Sequence, residues 1–87
     1  MVSAHATVLN PSGLHMRPAQ RFVQGVSAFG CEVTLLFGEK RVNAKSIMQV
    51  MLAGITQGST IEICCDGPDE AAALQAALDL IASGLGE

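Results

Sequence analysis

Val2, Ala4, Ala6 and Val8 alternate with Ser3, His5 and Thr7, the two-residue period of a strand with one buried face. The period then changes. Ala19, Phe22, Val23 and Val26 recur at i, i+3, i+4 and i+7, the stripe of one helix face, so the spacing predicts a helix from about His15 to about Ser27, with Gly30 as a stop signal. Asn10-Pro11-Ser12-Gly13 is a turn cluster joining the two. Pro18 falls in the first helical turn, where N–H groups have no intrahelical acceptor and proline loses nothing. Val33, Leu35 and Phe37 alternate with Glu32 and Thr34 as a second strand. Gly38-Glu39 fits a two-residue type II′ hairpin turn, returning from Lys40 to Asn43 as a short third strand. Ser46 is a good N-cap for a short helix from Ile47 to about Ala53, stopped by Gly54. Ile61, Ile63 and Cys65 alternate with Glu62 and Cys64 as a fourth strand. Asp66-Gly67-Pro68-Asp69 then turns into a last helix with Asp69 as N-cap and a core stripe of Leu74, Ala77, Leu78 and Ile81. Gly84 and Gly86 predict a frayed C-terminus.

The order is βαββαβα, without internal repeat or linker, so residues 1–87 form a single domain. That order predicts an α+β two-layer sandwich with the helices on one face of a four-stranded, mainly antiparallel sheet. Periodicity leaves the strand order open, because a ferredoxin-like sheet and an open-faced sandwich begin with the same βαββαβ run.

Composition narrows the function. A hydrophobic fraction of 49% without Trp or Tyr supplies an aliphatic core, and a formal net charge of −3 argues against a nucleic-acid partner, which requires a basic face. Cys31, Cys64 and Cys65 are odd in number and two are adjacent, unlike a secreted disulfide framework. No basic segment followed by an apolar run opens the chain, and no stretch approaches the roughly 18 apolar residues of a membrane span. A soluble, cytoplasmic, monomeric protein is expected. Cys64 and Cys65 lack paired Cys-x-x-Cys or nearby His spacing, so neither a metal nor another cofactor is expected.

Candidate chemistry gathers where the first helix begins. His15 falls at its N-cap, beside free backbone N–H groups and with Arg17 next but one. A helix N-terminus is a poor place for a cation and a ready site for an anion, so His15 reads as an uncharged nucleophile that accepts a phosphoryl group. Arg17 would offset the developing charge, and the N–H groups of Met16 and Arg17 would hold phosphoryl oxygens. His5, on the polar side of the first strand, reads as an ordinary solvent-facing residue.

Asn10, Gly13-Leu14-His15 and Arg17-Pro18-Ala19, followed by Val42-Asn43-Ala44-Lys45-Ser46-Ile47-Met48, resemble the two signature segments of HPr, the histidine-containing phosphocarrier family of the bacterial phosphoenolpyruvate-dependent phosphotransferase system. The resemblance covers essentially the whole chain. It implies the sheet order 1-4-2-3, a carrier without independent turnover, and phosphoryl transfer from enzyme I through Nδ1 of His15 to enzyme IIA proteins in sugar uptake. It further implies regulatory phosphorylation of Ser46 by HPr kinase/phosphorylase in some bacteria, and an apolar docking surface of Ile47, Met48 and Met51; Val50 and Leu52, apolar residues of the same short helix, read as core. Two departures stand out. Met16 replaces a usual Ala or Thr, which bears on partner preference, and Gln49 replaces a frequent Gly, which weakens the case for the Ser46 branch. The alternatives are the paralogous nitrogen-related carrier, a small acyl-phosphate hydrolase with an Arg-lined anion loop, and a regulatory binding module.

Overall fold

The computed structural model describes residues 1–86. The elements follow in the order β1 (Val2–Thr7), α1 (Met16–Ser27), β2 (Glu32–Phe37), β3 (Lys40–Asn43), α2 (Ile47–Leu52), β4 (Thr60–Asp66) and α3 (Glu70–Ala82), with a 3-10 turn at Gly84–Gly86. Each strand and helix read from periodicity is present. The sheet order is β1-β4-β2-β3 with antiparallel pairing throughout, the order implied by the resemblance and not the ferredoxin-like one. At the β2–β3 hairpin, Phe37 pairs with Lys40 and Gly38 takes φ +59°, the left-handed first position that a type II′ turn needs and glycine allows.

Alternation sets which face is buried. The register stacks Ala4, Ile63 and Leu35 in one row and Val2, Cys65 and Val33 in the next. Ile61, Ile63, Cys65, Val33 and Leu35 are all buried on this face. The opposite face carries Ser3, His5, Thr60, Glu62 and Glu32, and His5 is exposed. From α1, Ala19, Phe22, Val23 and Val26 cover the apolar face, with Phe22 among the largest fully buried side chains.

Two expectations about the C-terminal part are corrected. The buried stripe of α3 is Ala73, Ala77 and Ile81, whereas Leu74 and Leu78 are half-buried at its borders. Small residues at the centre let the helix lie close to its neighbours, and the leucines cover the seam. A Cβ placed on Gly25 of α1 would collide with Leu80, which shows how near the two helices run. The frayed end is absent: Leu85 is 2% exposed at φ 53° and ψ 33°. Its side chain joins the core, and that burial outweighs the cost of a left-handed backbone at a non-glycine residue.

Candidate phosphoryl-acceptor site

His15 is the N-cap of α1, as expected, with extended backbone angles of φ −85° and ψ −167°. Its carbonyl accepts the Ala19 N–H at 2.7 Å and so begins the helical ladder. Its imidazole makes no capping hydrogen bond and is exposed, which leaves both ring nitrogens for chemistry. Met16 and Arg17 follow in the first turn, whose N–H groups have no intrahelical acceptor, and no acidic residue occupies that turn. Arg17 is exposed and forms no salt bridge to a carboxylate among the described residues. An exposed imidazole without a capping bond, an exposed guanidinium and first-turn N–H groups thus belong to adjacent residues at one helix start. Met16, 63% exposed, adds an apolar surface beside them.

The approach to His15 is tightly held. Gly13 takes φ +61°, and a Cβ there would lie 2.5 Å from the Ile55 carbonyl oxygen and 2.7 Å from Thr56 Cα. Only glycine permits this backbone contact. Leu14, 1% exposed, donates its N–H to the Ile55 carbonyl at 3.0 Å. The loop carrying His15 is therefore joined by main-chain atoms to the segment just after α2.

Helix α2 starts as expected: the Ser46 hydroxyl accepts the Gln49 N–H at 3.3 Å. Ser46 itself is half-buried and lies at the end of α2 away from Ile55, roughly 10 Å along the axis at 1.5 Å per residue. Ile47 and Met48 are exposed by 37% and 65%, and Met51 is half-buried. Val50 is buried, but Leu52 is 74% exposed and does not belong to the core. Two residues beyond Val50 places it about 200° around the helix, so a helix this short cannot bury both. Counting positions around the helix from Val50 would have found this exposure in the sequence.

Three supporting contacts had no clear signal in the chain. The Gln49 side-chain oxygen accepts the Asn43 N–H at 2.9 Å, and Lys40 Nζ donates to the Ala53 carbonyl at 2.9 Å, so both ends of α2 are tied to β3 or its start. The third is Asn10, 3% exposed, whose amide nitrogen donates to the Gly13 carbonyl at 2.7 Å. Its turn-forming character was readable, but its burial was not. Among the described residues no group of three or more His, Cys, Asp or Glu is placed to hold a metal.

Residues 2–83 match the family model described as the PTS HPr component phosphorylation site. The chain belongs to the HPr family of phosphocarrier proteins. The phosphocarrier protein HPr of Neisseria meningitidis serogroup A is 40% identical over 87 residues, covering 100% of this chain and 98% of the relative. That of Treponema pallidum is 47% identical over 76 residues, covering 87% of this chain and 86% of its own. In three dimensions the chain resembles HPr-C-His from Thermoanaerobacter tengcongensis, with a TM-score of 0.97, 41% identity, and 100% and 98% of the two chains covered. A structure described as an HPr dimer from the same organism has a TM-score of 0.80 at 41% identity, with both chains fully covered. The likeness to HPr therefore extends from the two signature segments to the whole fold.

Proposed function

We propose that His15 accepts a phosphoryl group from phospho-enzyme I and passes it to enzyme IIA proteins of the sugar phosphotransferase system. The bond from phosphorus to enzyme I breaks as the bond to Nδ1 of His15 forms, and the exchange is repeated with the acceptor protein. The observation that carries this reading is the exposed imidazole, without a capping bond, at a helix N-terminus, followed by an Arg17 with no carboxylate partner among the described residues. The N–H groups of Met16 and Arg17 and the guanidinium stabilise the anion as charge develops. Ile47, Met48 and Met51, extended by the exposed Leu52, form the docking surface, and the flexible thioethers of Met48 and Met51 suit several partners. Ser46, at the start of the same helix, is the regulatory phosphorylation site for HPr kinase/phosphorylase. Residues 1–87 act as one cytoplasmic domain with no cofactor and no turnover of its own. The dimeric Thermoanaerobacter relative weighs against the monomer expected from the sequence.

Labelling with phosphoenolpyruvate and enzyme I tests the assignment. One acid-labile, base-stable phosphoryl group per chain is expected, with none on His15→Ala and transfer slowed roughly tenfold or more in Arg17→Ala. With HPr kinase/phosphorylase and ATP instead, the label belongs at Ser46. His15→Ala labelling as well as the parent would refute the acceptor role, and continuous phosphate release from acyl phosphates would favour a hydrolase. Parallel assays with enzyme I of the sugar and nitrogen-related branches separate those two carriers.

A further inference from the structure

The Gly13–Leu14 peptide is held at both of its polar ends. Its oxygen accepts the Asn10 side-chain amide at 2.7 Å, and its N–H donates to the Ile55 carbonyl at 3.0 Å. Asn10 grips the same glycine a second time, since its own carbonyl accepts the Gly13 N–H at 3.1 Å. This peptide plane fixes the Leu14 Cα, one residue before His15, and Leu14 is itself 1% exposed in the core, so the orientation of the plane is passed through a packed residue to the His15 Cα and imidazole at the first turn of α1.

The need for such a grip follows from Gly13. Glycine is required because a Cβ would strike Ile55 and Thr56, yet glycine has more backbone freedom than any other residue. A peptide plane beside a glycine rotates readily unless both of its ends are bound. Ile55 binds one end, and the Asn10 amide binds the other from a site that is 3% exposed, where water is a poor substitute for a lost donor. Resting on His15 as the phosphoryl acceptor, we infer that Asn10 is a positioning residue for transfer: its amide locks the Gly13–Leu14 peptide and thereby aims the imidazole at the incoming phosphorus. It touches neither the phosphoryl group nor the partner. Misplacing a reacting group by about 1 Å can cost on the order of a hundredfold in rate, so its removal should lower the maximal transfer rate while leaving partner affinity unchanged.

The test measures transfer from phospho-enzyme I to parent, Asn10→Ala, Asn10→Asp and Ile81→Val proteins as a function of carrier concentration, at a temperature where circular dichroism shows each folded. Aspartate keeps the size and turn-forming character of Asn10 but has no N–H to donate. Ile81→Val removes a buried methylene in α3 and serves as the control for lost stability alone. Both Asn10 variants are expected to show a maximal rate at least tenfold below the parent, with an unchanged half-saturating concentration and slower labelling by phosphoramidate, which needs no docking surface. Ile81→Val should melt lower and transfer at the parent rate. A parent-like maximal rate in either folded Asn10 variant overturns the inference, as does an equal slowing in Ile81→Val. Should Asn10→Ala not fold, Asn10→Asp decides. Failure of the parent itself to label would instead overturn the acceptor role of His15.

Discussion

Cys64 and Cys65 are neighbours in sequence with different surroundings, because successive strand residues face opposite sides of the sheet. Cys65 is buried with Cys31, while Cys64 is half-buried on the side without helices. Burial pushes the Cys65 thiol up to about 11 and raises those of Cys31 and Cys64, with the Asp69 carboxylate adding to the effect at Cys31. Thiols held neutral react slowly. A native protein treated with a thiol reagent near pH 8 should therefore modify Cys64 first, and the denatured, unreduced protein should titrate three thiols; a single thiol after unfolding would disclose a disulfide and remove a support for a cytoplasmic protein. At this scale the sequence was legible where local position decides, as for His15 at the N-cap of α1 and Arg17 in its first turn. It was less legible at Asn10, whose burial depends on which neighbours fold around it, whereas the exposure of Leu52 could be counted from Val50 and was hidden only by what a leucine usually does.

Among the elements, α3 shows how a correct boundary can conceal a different contact. Asp69 does stand at its N-cap, but at φ −110° and ψ 27° it makes no side-chain capping bond. Its carboxylate instead accepts the Gly30 N–H at 2.8 Å and the Cys31 N–H at 2.9 Å, tying the start of α3 to the connection between α1 and β2. Such a pairing lies 38 or more residues away along the chain, beyond any local signal. The hydrogen bond from Gly30 is the main reason the Asp69 carboxyl sits below its ordinary range. A depressed carboxyl contributes stability above its unfolded value of about 4, and that contribution is lost as pH falls through the lower folded value. Asp69→Asn should therefore melt below the parent at pH 7, with the gap narrowing towards pH 2. Glu70, held low chiefly by its hydrogen bond from the N-terminal ammonium, is present in both proteins and cancels in the comparison. Thermal melts across that range check this, and a gap independent of pH would show that the Asp69 charge has no such role. Strand and helix existence was legible because each period is local. Strand order was not, and came from the likeness to HPr.

Across the whole molecule, the core is closed by a residue that the chain's composition seemed to leave loose. Leu85 sits between Gly84 and Gly86, both at positive φ, and these glycines were read as a sign of fraying when they are what lets the chain turn and insert the leucine. Leu85→Ala is expected to destabilise the fold by roughly 2–4 kcal/mol, a large share of the total for a domain of this size, with phosphoryl transfer unchanged well below the melting point. Urea unfolding measures the loss, and a change under about 0.5 kcal/mol would mean that this end is dispensable. The join between Gly13, Leu14 and Ile55 has a different kind of consequence. It is made of backbone atoms, so exposed side chains of α2 such as Met48 and Leu52 can be exchanged without removing the contact that holds the segment before His15. A gene copy can drift towards a new clientele one surface residue at a time, inheriting its chemistry intact.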